Sequence, residues 1–449
     1  MQLIPRFFVF LLFFGGMFFP QYGLADIPAS KIDSGDTAWM LVSTALVLMM
    51  LIPGLALFYG GMVSKENVLG VLAQSFVICC LVSVLWVAYG YSFAFTQGAS
   101  VFLGGSSRIM LAGLGINSIS TLAGTIPESV YIMFQLTFAA ITCALILGAV
   151  ATRIRFSSML VFIAAWFTFV YIPIAHWVWG DHGWLGGTNI DHYAGLLGLG
   201  TTLDYAGGTV VHINAGIAGL VAALVSGQGF DFKHRRRHTP PYNIGLSLTG
   251  AALLWVGWFG FNAGSALTSG TRAGMAMLVT QAATAAAALA WMAVEWMHSR
   301  KPTVLGLISG AVAGLVAITP ASGFVDVTGA LYIGVAAGII CYLATNVKYK
   351  FGFDDTLDVF AVHCVGGIIG AILTGVFAVE AVGGTKGVLE GNLNQLFAQL
   401  LSVGITIAYC SVVSYILLRI IKVCMGLALP EMEQRIGLDQ TQHAETING

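Results

Sequence analysis

Charged side chains are scarce in this sequence, and its long apolar segments contain none in their interiors. Only 9% of the 449 residues are charged and 57% are hydrophobic, whereas soluble domains carry about 25% charged residues. This composition argues against an ordinary soluble domain and favours a chain that lies in a lipid bilayer. The net charge of -1 gives no indication of a nucleic-acid-binding surface.

The seven cysteines also lack the paired spacings of metal sites and disulfide frameworks. We interpret them as small residues of an apolar core. The sequence has no recognisable nucleophile triad and no metal-ligand spacing. We therefore expect neither an enzyme nor a bound cofactor.

Residues 1–25 have the pattern of a cleaved secretory signal. Arg6 precedes an apolar run, Phe7 to Phe19, and small residues at Gly23 and Ala25 suit a cleavage site. The alternative is an uncleaved extra span, which the short run disfavours because a hydrocarbon core is about 30 Å thick.

Eleven later segments are apolar and long enough to cross a bilayer as helices. They are Trp39–Met62, Val68–Phe95, Ser129–Val150, Phe156–Trp179, Tyr205–Gly227, Pro241–Thr268, Ala273–Val294, Thr303–Ser322, Val327–Val347, Val359–Val379 and Gln395–Leu418. We therefore predict an all-α polytopic membrane protein with an eleven-span transporter domain at residues 26–424 and a tail at 425–449.

Lysine and arginine are distributed unevenly between the two sides of this arrangement. If the mature N-terminus is periplasmic, fourteen of them fall in cytoplasmic segments and four in periplasmic ones. Cytoplasmic loops of membrane proteins carry such an excess. We expect a multi-pass protein of the bacterial inner membrane with a periplasmic N-terminus and a cytoplasmic C-terminus.

The chain contains an internal repeat. His212–Gly219 in the fifth segment (HINAGIAG) and His363–Gly370 in the tenth (HCVGGIIG) both read His-x-x-small-Gly-Ile-x-Gly. Phe58–Gly61 in the first segment and Phe261–Gly264 in the sixth agree more weakly. Because the copies are an odd number of spans apart, they would form two inverted five-helix repeats, followed by a final helix. Chance similarity in Gly-, Ala- and Ile-rich sequence is the alternative.

The absence of charge within the spans limits what the protein could conduct. A K⁺ ion would find no fixed negative partner at mid-membrane depth, and an unpaired buried charge is very costly. Ammonium can lose its proton and its charge, whereas K⁺ cannot. The sequence therefore favours a path for ammonium, or for ammonia derived from it.

His212 and His363 are the candidates for the middle of this path. They lie at depths of roughly 12 Å and 8 Å from opposite faces, at a rise of 1.5 Å per residue. Neutral imidazoles each offer one donor and one acceptor to an uncharged ligand. The alternative is two separate buried histidines that bond to the backbone.

Aromatic residues cluster at the outer ends of several segments. Trp179, Phe134 and Phe138 are in this group, with Phe261 and Ser265 from the sixth segment. Aromatic faces attract ammonium by cation–π contact, and a serine hydroxyl can accept a hydrogen bond that K⁺ cannot donate. We predict an ammonium-binding site here, with two stacked rings below it as a gate. An interfacial anchor is the alternative for Trp179.

Two acidic residues stand at the starts of the histidine-bearing segments. Asp204 opens the fifth segment and Asp358 opens the tenth. A carboxylate at a helix start accepts backbone N–H groups and complements the helix dipole. We interpret both as structural acids, in preference to substrate ligands.

Four stretches together resemble the signature motifs of the ammonium transporter family (Amt/Mep/Rh), and the resemblance extends from about Asp36 to the tail. They are Tyr171–Gly180 (YIPIAHWVWG), Asp204–Gly216 (DYAGGTVVHINAG), Gly257–Ala266 (GWFGFNAGSA) and Asp354–His363 (DDTLDVFAVH).

The resemblance implies a homotrimer with one pore per subunit, and a cytoplasmic face that binds a PII signal protein. It places the twin pore histidines at His212 and His363, and the stacked gate at Phe138 and Phe261. The outer ammonium site falls at Trp179 and Ser265. The vestibule tryptophan favours the Amt branch, although Trp184 is a rival because the stretch between Trp179 and Asp204 is longer than in compact family members.

We therefore hypothesise an ammonium transporter. An ammonium sensor with the same fold is the alternative, but the tail of about 25 residues has no room for an output domain of ordinary size.

Overall fold

The structure is a computed structural model that describes residues 31–98, 100–186, 200–235 and 240–447. The predicted signal sequence lies outside these residues. Eleven apolar helices follow the predicted segments in order: α1 Ser34–Met62, α2 Lys65–Phe95, α3 Glu128–Leu147, α4 Phe156–Trp179, α5 Gly208–Ser226, α6 Ile244–Gly264, α7 Thr271–Ser299, α8 Val304–Ile318, α9 Val327–Phe351, α10 Phe360–Phe377 and α11 Leu393–Met425.

Among the described residues, ten of these helices are long and apolar enough to cross a membrane, and α8 is shorter. The polytopic all-α fold is confirmed, whereas the count of eleven spans stays a prediction. Smaller elements lie between the long helices and in the tail. They are a hairpin of β1 Ile119–Ser120 and β2 Ala123–Pro127, and the short helices Ile109–Leu111, Phe230–Arg235, Glu380–Gly383, Val388–Glu390, Glu431–Ile436 and Leu438–His443.

Helices α5 and α10 share a local feature that reflects the sequence repeat. Each begins with a π-helical turn, Gly208–Ile213 in α5 and Phe360–Cys364 in α10, and each turn carries a histidine. Single π-helical turns often occur at functional sites because they reorient side chains within a helix. The wider turn sets the direction of His212 and His363 in the two repeats.

The glycine of the repeat explains how these two helices approach each other. A Cβ on Gly216 would lie 2.6 Å from the Cβ of Cys364, and one on Gly367 would lie 3.2 Å from the Cβ of His212. Each glycine stands four residues after the histidine of its own helix and packs beside the histidine turn of the other. Because neither glycine has a side chain, α5 and α10 can cross closely at the level of the imidazoles.

We expect Gly216→Ala to destabilise the protein by about 1–3 kcal/mol, because the added methyl group meets backbone and Cβ atoms of Cys364 that cannot rotate away. Thermal denaturation in detergent measures the effect. Gly404→Ala is the matched control, since Gly404 also lies within a helix and has no atom within 4 Å of the new methyl group. Equal melting temperatures for the two variants would refute the tight crossing.

The tail folds back onto the helical bundle at the ends of helices that include the start of α4 and the start of α2. Its backbone pairs with the chain before α4, where the N–H of Arg155 donates to Leu427 and the N–H of Leu429 donates to Arg153. Further along, the Asp439 carboxylate accepts the N–H groups of Leu69 and Gly70 at 3.1 and 2.7 Å. These contacts attach the tail to the helical bundle.

Candidate functional site

The two repeat histidines meet at the crossing of α5 and α10. Their Nδ1 atoms are 3.3 Å apart, and the rings stack with centroids 5.4 Å apart and an interplanar angle of 19°. Both side chains are buried. A hydrogen bond between two Nδ1 atoms needs one donor and one acceptor, so the pair cannot carry a proton on both Nδ1 atoms. The contact therefore favours a pair that is not doubly charged.

A tryptophan completes this stack. Trp258 of α6 lies against His212 with centroids 5.4 Å apart and an angle of 18°, and its indole N–H donates to Thr319 Oγ1 at 2.8 Å. Trp258 was not among the predicted site residues. Its position three residues before Phe261, on the same helical face, is a signal that could have identified it.

A small apolar cavity adjoins the imidazoles. Its volume is about 10 Å³ and, among the described residues, its wall contains no charged side chain. It is lined by Leu55, Phe58, Ile141, Leu145, His212, Leu254, Trp258, Phe261, Val312 and His363. This is roughly the space of a single water-sized molecule. The Nε2 atom of His212 is buried without a hydrogen-bond partner among the described residues, so it is available to a small ligand here.

Two stacked phenylalanines lie at one side of this cavity, and Phe261 belongs to its wall. The rings of Phe138 and Phe261 stack with centroids 4.1 Å apart and an angle of 21°. Trp179 meets Phe138 edge-on at 5.7 Å, and its indole N–H donates to the backbone oxygen of Asp204 at 2.8 Å. The predicted gate pair and the predicted outer tryptophan are thus in one aromatic group.

The remaining outer residues lie around this group. Phe134 packs on Phe138 with centroids 4.9 Å apart. Ser265 follows the last residue of α6 and donates its hydroxyl to the Phe261 carbonyl at 2.8 Å. Trp184 instead packs on Phe102 and Trp177, at 5.6 and 5.4 Å. The geometry therefore favours Trp179 over its rival as the ring above the gate.

Asp204 organises the start of α5. Its buried carboxylate accepts the N–H groups of Gly207, Thr209 and Val210 at 3.0, 3.0 and 3.1 Å, and it also accepts the N–H of Gly208 and the hydroxyl of Thr209. Five donors thus converge on one side chain. This pattern agrees with a structural acid that caps a helix.

The corresponding acid of α10 is Asp355, which corrects the choice of Asp358. The Asp355 carboxylate accepts the N–H groups of Val359 and Phe360 at 3.1 and 2.8 Å. Asp358 instead forms an ion pair with Lys348. Its φ of 57° is not the extended conformation from which an N-cap side chain reaches the first-turn N–H groups. The spacing of eight residues, from Asp204 to His212 and from Asp355 to His363, is the repeat signal that identifies the cap.

Burial, and then the nearby Asp358 carboxylate, raise the pKa of Asp355 from 3.8 to about 6. A raised carboxyl pKa contributes stability that is fully present below the unfolded-state pKa and lost as the pH rises through the folded-state value. We therefore expect the wild type to lose more thermal stability than Asp355→Asn between about pH 4 and about pH 7. Melting curves across this range test it, and parallel curves would contradict it.

A larger cavity of about 210 Å³ lies on the inner side, and we call it the inner vestibule. It shares His363, Phe58 and Val312 with the small cavity. Its wall also contains Asp231, Asp354 and Asp358. The two cavities therefore meet at the second histidine, and among the lining residues described only the inner vestibule has acidic side chains.

Comparison with known proteins gives a consistent result. Residues 38–447 match the model of the Ammonium Transporter Family. The chain is 48% identical to an ammonium transporter from Aquifex aeolicus over 93% of this chain and 94% of that protein. It is 43% identical to an ammonium transporter from Bacillus subtilis, over 92% and 98% of the two chains.

Solved structures with the same fold include Mep2 from Saccharomyces cerevisiae. The similarity has a TM-score of 0.81 at 35% identity and covers 90% of this chain and 89% of that one. A protein described as a sensor Amt protein gives a TM-score of 0.82 at 25% identity, with 91% and 98% of the chains covered.

Proposed function

Because this chain belongs to the ammonium transporter family, we propose that it conducts ammonium, or ammonia derived from it, through a pore centred on His212 and His363. The observation that carries the proposal is the contact of the two imidazoles beside a cavity without a charged wall residue among those described. A permanent cation would lose its hydration there and gain no opposite charge. An uncharged ammonia molecule would find hydrogen-bonding nitrogens instead.

The outer aromatic group is the proposed recruitment site. Trp179 and Phe134 present π faces to a cation, a contact worth roughly 0.5–2 kcal/mol, and the Ser265 hydroxyl can accept a hydrogen bond from ammonium. The stacked pair of Phe138 and Phe261 then separates this site from the histidines. Ammonium would lose its proton before it passes the pair, since the cavity beyond favours the neutral form. The proton would either return to the outer side or be relayed across separately.

Recording currents from the purified protein in liposomes tests this function. We expect saturable currents or pH changes when ammonium is added, and none when the same concentration of K⁺ is added. Equal responses to the two ions would reject the proposed selectivity. Growth of a transport-deficient strain on low ammonium distinguishes the transporter from the sensor, because a sensor that does not conduct would not restore growth.

We also propose a location and partners. The residues after the cleaved signal would lie in the bacterial inner membrane, with a periplasmic N-terminus and a cytoplasmic tail, as the distribution of Lys and Arg supports. The family relationship supports a homotrimer and a PII signal protein at the cytoplasmic face. Size determination of the purified protein and pull-down with a PII protein test these two assignments.

A further inference from the structure

A buried lysine lies in the wall of the inner vestibule. Lys348 has 3% of its surface exposed. Its Nζ atom is 2.8 Å from Asp358 Oδ1 and donates a hydrogen bond to the backbone oxygen of Asp355 at 2.9 Å. The Tyr349 ring centroid is 5.4 Å from the same nitrogen. A carboxylate, a carbonyl and an aromatic face are the partners that a free monovalent cation would also use.

The backbone holds both partners of this ion pair in place. Lys348 belongs to the last helical segment of α9, Val347–Phe351. Asp358 has a φ of 57°, in the left-handed region that a residue with a side chain rarely adopts. Such a conformation persists only where its surroundings fix it. The pair is therefore part of the ordered vestibule wall.

Two basic side chains of the protein neutralise the two vestibule carboxylates that belong to the loop before α10. Arg153 Nη1 lies 3.4 Å from Asp354 Oδ2, and Lys348 neutralises Asp358. The Asp358 side chain remains 22% exposed. If the Lys348 ammonium were absent, this carboxylate would stand unpaired beside the passage that leads to His363.

We propose that Lys348 is a tethered cation that fills an inner acidic site and thereby keeps cytoplasmic K⁺ and returning ammonium from binding at the inner mouth. It is a specificity-determining residue, and this role rests on the proposed function. A side chain that is already positioned competes as an intramolecular ligand, with an effective concentration above that of free ions. The inner vestibule thus keeps its acidic residues without binding free K⁺ or ammonium.

Lys348→Met tests the proposal because it removes the charge and keeps an unbranched side chain of similar length. We expect the purified variant to gain thermal stability in K⁺ relative to choline, since a bound ion stabilises the folded state. We also expect K⁺ to reduce its ammonium currents in liposomes by at least about fivefold, by occupying the vacated site. The wild type should show neither effect.

Two further variants control for unrelated causes. Lys350→Met removes an exposed lysine from the same short helix and should leave the K⁺ response unchanged. The double variant Lys348→Met with Asp358→Asn removes the carboxylate as well and should lose the K⁺ effects.

The proposal is overturned if K⁺ stabilises Lys348→Met no more than it stabilises the wild type. It is also overturned if this variant fails to fold in both K⁺ and choline, because K⁺ should occupy the vacated site. Folding in K⁺ alone would support it. The thermal measurement needs no transport, so a wild type that conducts no ammonium would refute the proposed function and leave this test intact.

Discussion

Replacing His363 with alanine is expected to lower the ammonium-dependent current by at least about tenfold, which corresponds to about 1.4 kcal/mol. The substitution removes the Nδ1 partner of His212 and one side of the small cavity. Ammonia in the variant would lose hydrogen bonds worth about 1 kcal/mol each. Currents from the purified variant in liposomes, with methylammonium uptake in cells, measure the loss.

The control for this variant is His298→Ala. His298 is exposed at the end of α7, where its Nδ1 lies 2.8 Å from the hydroxyl of Tyr342. It lies outside both histidine motifs, His212–Gly219 and His363–Gly370, and does not line either cavity among the described residues. If both variants elute like the wild type in size-exclusion chromatography and also conduct equally well, the central role of His363 is refuted.

Replacing Asp204 with alanine is expected to prevent accumulation of folded protein. The substitution leaves four backbone N–H groups and the Thr209 hydroxyl without their acceptor in a buried position. Each unsatisfied buried group costs about 1–3 kcal/mol, so the total is comparable with the whole stability of a typical domain, about 5–15 kcal/mol. Fluorescence-detected size-exclusion chromatography of the expressed variant measures the yield.

Asp326→Ala provides a comparison at another helix start. Asp326 caps α9 by accepting one N–H group, from Gly329 at 2.8 Å. Loss of a single cap costs about 1 kcal/mol, so this variant should still accumulate. A similar yield of the two variants would indicate that Asp204 does no more than an ordinary cap.

The sequence predicted the positions of the helices well, because hydrophobicity along the chain is enough to locate them. Phe156–Trp179 agrees at both ends with the observed α4, and Val68–Phe95 agrees with the end of α2. In a bilayer each segment must satisfy its own backbone hydrogen bonds as a helix. The length and apolar character of a segment therefore decide its structure without knowledge of its neighbours. This length criterion is weakest for α8, which is shorter than the ten helices that are long enough to cross a membrane.

The same reasoning predicted only part of the candidate site. The repeat indicated both histidines, and the aromatic residues near Trp179 were recognised as a group. Asp358 was chosen as the cap of α10, whereas Asp355 accepts the N–H groups. Both residues precede the same helix, and only the path of the loop decides which carboxylate faces the helix start. The equal spacing to the histidine in the two repeat copies is a sequence signal that favours Asp355 and was overlooked.

Residue type and order alone were enough to predict a membrane-spanning chain with few charges and a repeated motif that carries a histidine in each copy. The contact of the two imidazoles, the stacking of Trp258 beside them and the pairing of Lys348 with Asp358 became evident from the folded chain. The histidines are 151 residues apart in the chain. Their contact depends on which helix faces meet, and the close crossing at Gly216 and Gly367 sets that arrangement.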